Sequence, residues 1–284
     1  MTRSFDLDAA KGMLLGLAVG DAVGTTLEFA ARDSRPPVEG MEGGGPFGLE
    51  PGVWTDDTSM ALCLGESLLE RRGWDPENCA RRFVRWRDEG HMSVTGTCFD
   101  IGNTVAEALR RFEETGEPYA GSSDPDRAGN GGIMRLAPAI IAFHARPDRA
   151  AEVAVLQSRI THGARECDVW ADGLGRYLLS GGLDVVQPMA LPAATPREQV
   201  RSTGYVVDTA QAAFWAFEST GSFREAVLLA ANLGGDADTV AAVTGQIAGR
   251  AYGLAGIPPE WLAALAWRPM IEGMAEALFE QGAR

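Results

Sequence analysis

Trp54-Thr55-Asp56-Asp57-Thr58, together with the later Gly234-Gly235-Asp236-Ala237-Asp238-Thr239, decides how this chain is read. Each stretch sets two carboxylates and a threonine hydroxyl within four residues, directly ahead of a long apolar pattern of helical period. One acid at a helix start is ordinary, because threonine caps the orphan amides and acids suit the positive end of the dipole. Asp236 and Asp238, two apart, do not share a face of a regular helix, so one of them sits in the bend that enters it. Capping needs one acid there, not two. If the two stretches converge, four carboxylates crowd a small volume and repel unless cations neutralise them. Aspartate and threonine oxygens without cysteine or histidine select Mg²⁺, Mn²⁺ or Ca²⁺. Two Mg²⁺ or Mn²⁺ ions suit catalysis, since such a pair activates a water while holding substrate oxygens.

Convergence has a sequence signal of its own. Gly12, Gly16, Gly20 and Gly24 recur at intervals of four in a helical pattern from Ala9 to about Gly24. Each interior glycine costs a helix about 1 kcal/mol against alanine, so the ridge asks for a close backbone approach. Gly245, Gly249 and Gly253 form a second ridge after the later acidic stretch. The two helices are expected to cross and bring their acidic ends together.

Elsewhere, residues 32–53 are too rich in glycine and proline for a regular element. They are expected to be a loop, read as a mobile flap over the site or a plain linker. Helical patterns run from Thr55 to about Arg72, from Pro76 through Trp86, from Asn103 or Thr104 as cap to about Gly116, and from Pro147 to Ile160. Others follow to Ser180, from Gly204 to Thr220, Phe223 to Leu233 and Val240 to Leu254, with two short helices at the end. No segment alternates apolar and polar residues for long. The expectation is an all-α fold, one compact multi-helix domain over residues 1–284.

The 284 residues carry a formal charge of −14, which repels polyanions and makes nucleic acid and anionic membrane poor partners. Cys63, Cys79, Cys98 and Cys167 lack CxxC spacing and read as reduced residues of a cytoplasmic, monomeric protein. The N-terminal MTRSFDLDAAKG lacks the basic start of an export signal, and the apolar run Met13 to Val19 is too short to span a bilayer. Arg81, Arg82, Arg85 and Arg87 form a basic cluster, read as a solvated helix side pairing with nearby acids.

GLAVGDAVGTTLEF, TDDTSMALCLGESLLE, CFDIGNT, GNGGIMRLAP and GGDADTVAAVTGQIAG, in this order, resemble the ADP-ribosylglycohydrolase family, most of all its branch typified by dinitrogenase reductase-activating glycohydrolase. The resemblance spans about Gly12 to about Gly253. It implies a metal-dependent hydrolase that removes ADP-ribose from a modified protein side chain, arginine first among them. It implies two divalent cations on Thr55, Asp56, Asp57, Asp236, Asp238 and Thr239, with Glu28 assisting proton transfer. It places Asp100 on the guanidinium side of the bond, and Asn103, Gly129, Asn130, Gly131, Gly132, Met134, Arg135 and His162 around ADP-ribose. Gly132 stands where the family pattern has serine. Asp21, in the first block, is read either as support for the metal site or as a structural helix-end acid.

Other readings stay open at this point. The same pocket suits ADP-ribose on serine, on a nucleic-acid end or on a small molecule. A non-catalytic relative resembling lens crystallins and a Mg²⁺ phosphohydrolase that releases AMP are the alternatives of other classes.

Overall fold

The computed structural model describes residues 4–284, so the first three residues of the N-terminal segment lie outside the described residues. The first helix, α1 (Leu7–Gly24), starts where Asp6 Oδ1 accepts the Ala9 N–H at 2.8 Å. α2 (Asp56–Arg71) and α3 (Pro76–Glu89) follow the first acidic stretch. α4 (Asn103–Thr115), the one-turn α5 (Gly131–Met134) and α6 (Ala137–Ala142) occupy the middle. α7 (Pro147–Arg159), α8 (Arg165–Ser180), α9 (Val206–Glu218) and α10 (Phe223–Ala231) lead into α11 (Ala237–Tyr252). α12 (Pro259–Ala264) and α13 (Arg268–Gly282) end the chain. Among the described residues the β-structure is three isolated bridges and no sheet, so the fold is all-α.

The glycine ridges do what their spacing predicts. A Cβ on Gly12, Gly16, Gly20 or Gly24 would run into the backbone of Gly249, Gly245, Ala241 or Ala237 respectively. α1 and α11 therefore lie antiparallel with their backbones in contact, and both are buried along almost their whole length. The end of α1 meets the start of α11, at the centre of one continuous apolar core. None of the described helices is long and apolar enough to cross a membrane.

Three local expectations need correction. Gly102, not Asn103 or Thr104, is the N-cap of α4, and no side chain caps it there. Of the two short helices expected at the end, α12 has six residues but α13 runs for 15. Residues 32–53 are pinned rather than free: Thr26 donates to Gly43 O at 2.9 Å, and Asn232 exchanges two hydrogen bonds with the Val38 backbone. Gly45 and Gly52 lie against the carbonyls of Thr25 and Ala264, where a Cβ has no room. Gly43, Gly45 and Gly52 serve close backbone approach, and none of the glycines of this loop lines the cavity described below.

The basic cluster on α3 is paired as its composition suggests. Arg81 meets Glu77, Arg82 meets Glu66 and Glu70, Arg85 meets Glu89, and Arg87 meets Asp88 and Glu113.

Candidate active site

Both acid-rich helix starts are capped from α1 and its exit, not by their own side chains. Thr55 is the N-cap of α2 without a capping bond of its own. Asp21 does that work: its carboxylate accepts the N–H groups of Thr55 (2.8 Å) and Thr58 (3.0 Å) and both threonine hydroxyls (2.9 and 2.6 Å). After a 3-10 turn, Thr25–Leu27, the chain delivers Glu28, whose Oε2 accepts the N–H groups of Ala237 (2.7 Å) and Asp238 (3.2 Å) at the start of α11. Asp21 and Glu28 therefore take over amides at both helix starts, which leaves Asp56 and Asp57 free of capping there.

They converge. Carboxylate oxygens of Asp21, Asp57 and Asp238 lie within 4.8 Å of one another, as do those of Glu28, Asp236 and Asp238. Asp238 belongs to both groups. The Thr55 hydroxyl stands 3.3 Å from Asp238 and 3.4 Å from Asp57, and the Thr239 hydroxyl 3.4 Å from Asp57. Burial, and then neighbouring carboxylates, push Asp56, Asp57 and Asp238 well above the usual carboxylate range. Burial, with Asp236 beside it, raises Glu28 to about 8. Burial lifts Asp21 to about 6 against its four hydrogen bonds, and Asp100 to about 6 as well. Asp57 Oδ1 is buried without a hydrogen-bond partner. An orphaned anionic oxygen among carboxylates held above their normal range is a poor arrangement by itself and a good one around cations. The two clusters could hold metal ions.

Above the acids lies a cavity of about 320 Å³. Glu28, Asp56, Asp236, Asp238 and Thr239 line it, joined by Asn103 and by Asp100, whose carboxyl shares a hydrogen bond with Asp238. Gly129, Asn130, Gly131, Met134 and His162 make a further wall. Thr55 and Asp57 are fully buried and lie behind the lining. Two expected contacts with substrate are corrected. Gly132 does not line the cavity; a side chain there would collide with Ser158 of α7, so packing explains the departure from serine. Arg135 is fully buried away from the cavity, with its guanidinium on Gln157 and Thr161 and 4.6 Å from the Phe83 ring centre.

Arg135 nevertheless reaches the wall through a relay. Its Nη2 donates to Thr161 Oγ1 at 2.7 Å, and that hydroxyl shares a hydrogen bond with His162 Nδ1 at 2.8 Å. Burial, with Arg135 nearby, pushes His162 down to about 3, so the ring is neutral. The ring packs on Gly129 and Gly131, where a Cβ would strike it. The glycines of this block thus seat a ring. Asn130 Nδ2 donates to Asp236 Oδ2 at 2.8 Å and to Thr209 Oγ1 at 2.9 Å, fixing one of the clustered acids.

Sequence reasoning left Asp21 undecided and passed over Phe29, Ile101 and Gly204, which line the cavity. A Cβ on Gly204 would sit 3.1 Å from Asp236 Oδ2, which is a reason for glycine there. The signal for Asp21 was its position three residues before the last ridge glycine, facing the helix start that the ridge brings near.

Comparison with known proteins follows the same line. A family model described as ADP-ribosylglycohydrolase matches residues 2–284. The chain is 46% identical to the ADP-ribosylarginine hydrolase Tri1 of Pseudomonas putida (strain GB-1), over 99% of this chain and 80% of that protein. It is 35% identical to the ADP-ribosyl-(dinitrogen reductase) glycohydrolase of Rhodospirillum rubrum, over 91% of this chain and 90% of that one. The solved structure of an ADP-ribosylglycohydrolase-related protein complex superposes with a TM-score of 0.83 at 41% identity, covering 97% of this chain and 98% of its own.

Proposed function

The chain belongs to the ADP-ribosylglycohydrolase family, and from that premise we propose that it hydrolyses the N-glycosidic bond joining ADP-ribose to arginine side chains of proteins. The observation that carries the reading is the pair of carboxylate clusters sharing Asp238 under a cavity that Asp100 also lines. Relatives named ADP-ribosylarginine hydrolase, at 46% and 45% identity, support the linkage.

Two divalent cations, Mg²⁺ or Mn²⁺, fit the oxygen-only ligand set. Asp57, Asp236 and Asp238 would hold them, with Asp56, Thr55 and Thr239 adjoining. When bound, the ions supply an activated water and offset the charge that develops as the bond breaks. The chain's own groups do the rest. Glu28 has one oxygen fixed by two amides, which leaves Oε1 to assist proton transfer. Asp100 pairs with the guanidinium, where a bidentate carboxylate contact fits. Asn103, Gly129, Asn130, Gly131, Met134 and the neutral His162 ring wall the ADP-ribose. The four unpaired thiols suit a reducing compartment, the cytoplasm.

The test is chromatography of the products formed from arginine-linked and serine-linked ADP-ribosyl proteins, with Mn²⁺, with Mg²⁺ and with chelator. Metal-dependent release of ADP-ribose from the arginine conjugate is expected. Release of AMP, or release from serine alone, contradicts the proposal.

A further inference from the structure

Three aromatic rings line up beside the mouth of the cavity. The Phe29 ring centre lies 6.2 Å from that of Phe47, and Phe47 lies 5.4 Å from Phe99, both edge to face. Phe29 is 67% exposed, the most exposed of the large apolar side chains described, and it lines the cavity directly after Glu28. Its backbone is held at φ +57°, in the left-handed region that disfavours a bulky side chain. Two hydrogen bonds to one residue enforce this: the Phe29 N–H donates to Gly235 O, and the Gly235 N–H donates to Ala30 O, each at 2.8 Å. At the far end of the row Asp100, next to Phe99, is held at φ +59°. The strain therefore falls on Phe29, and both Phe29 and Asp100 line the cavity.

Folding does not ask for phenylalanine at position 29. Glycine would adopt that backbone at no steric cost, and burial returns little for a ring two-thirds in solvent. Strain kept at a cavity mouth and carrying an exposed ring points to a ligand. The surroundings define its chemistry. Ring faces attract cations, the mouth is acidic, and Asp100 lines it beside Asp238. A planar cation offers an edge to a carboxylate and a face to phenyl rings, as a guanidinium does and a serine hydroxyl does not.

We propose that Phe29, Phe47 and Phe99 form a subsite for the guanidinium and methylene stem of the arginine that leaves, so that this row selects the linkage. The proposal deepens the arginine reading above and rests on it. The competing use of the row, stacking on the adenine of ADP-ribose, is an outcome of the test.

The experiment is calorimetric titration of agmatine, a guanidinium on a short alkyl chain, into wild type, Phe29→Gly, Phe47→Ala and Phe29→Tyr saturated with ADP-ribose. A parallel titration uses ADP-ribose alone. Phe29→Gly and Phe47→Ala are expected to weaken agmatine by about tenfold, within the reach of a partly desolvated cation–π contact, with ADP-ribose affinity unchanged. Phe29→Tyr restores agmatine binding, and Phe29→Gly melts no lower than wild type. KM for an arginine-linked conjugate rises in step while kcat holds. Unchanged agmatine affinity in both variants, or a loss of ADP-ribose affinity that matches the loss for agmatine, overturns the subsite. Because agmatine binding needs no turnover, a wild type that binds agmatine through this row but releases nothing from arginine conjugates would refute the catalytic reading alone.

Discussion

Gly16 and Gly245 touch backbone to backbone: a Cβ on either would overlap the carbonyl oxygen of the other. That contact, repeated by Gly12 with Gly249, fixes the register of α1 against α11. Register in turn sets Glu28 at the start of α11, which is how two stretches far apart in sequence build one acidic site.

The contact leaves no space for a side chain. Gly16→Leu and Gly245→Leu should each lower the free energy of unfolding by about 3 kcal/mol or more through overpacking, read by urea denaturation. Gly273 lies exposed in α13, with no atom within 4 Å of where a Cβ would stand. Gly273→Ala should instead raise stability by about 0.5–1 kcal/mol. Equal effects at the two places would remove the close-approach account.

Asp21 satisfies two buried amides and two hydroxyls at the start of α2. Asp21→Ala should cost about 3 kcal/mol or more, since each stranded buried polar group costs about 1–3 kcal/mol. The measurement belongs in saturating Mg²⁺, where relief of carboxylate repulsion does not mask the loss. Asp21→Asn, which keeps an accepting oxygen, should be milder. A harmless Asp21→Ala would mean that α2 finds another cap.

Stability without divalent ions should fall as pH rises. Glu28 is raised to about 8 from 4.5, and Asp21 and Asp100 to about 6 from 3.8, chiefly by burial. Between those limits the folded state keeps protons that the unfolded chain has released, so this contribution is present in full below about pH 4 and is lost as pH climbs through 6 to 8. The melting temperature in chelator should therefore decline from pH 5 to pH 8, and Mg²⁺ or Mn²⁺ should flatten the curve by ligating the ionised form. A melting temperature that rises over this range in chelator would show that the acids are not crowded as described.

Much of this architecture was legible because glycine spacing and acid pairing are local signals with few physical explanations. Four glycines at intervals of four demand a partner backbone, and Asp236 with Asp238 demands more than a cap. Glu28 was readable only through family resemblance, since nothing around it in the sequence shows that it reaches Ala237. Arg135 went the other way. A guanidinium beside a glycine-rich loop reads as a phosphate ligand, and only the packing of α7 shows it committed to Gln157 and Thr161. Phe29 carries no sequence signal, because its strain is a property of the tertiary hydrogen bonds at Gly235.

His162 should not titrate in the working range. Held down at about 3 by burial and by Arg135, its ring stays neutral from pH 5 to 8. Two-dimensional ¹H–¹⁵N spectra of the imidazole should show a neutral ring throughout. Thr161→Val should remove the hydrogen bond at Nδ1 and weaken ADP-ribose binding while leaving the carboxylate clusters intact. A titration midpoint near 6.5 would contradict the buried relay.

The most direct test of the account is the Mn²⁺ stoichiometry of wild type, Asp57→Ala and Asp238→Ala by equilibrium dialysis with elemental analysis. Because Asp238 is common to both clusters, wild type should bind two ions, Asp57→Ala one, and Asp238→Ala neither with native affinity. An Asp238→Ala protein that folds and retains both ions at wild-type affinity would contradict the shared carboxylate, and with it the site built here.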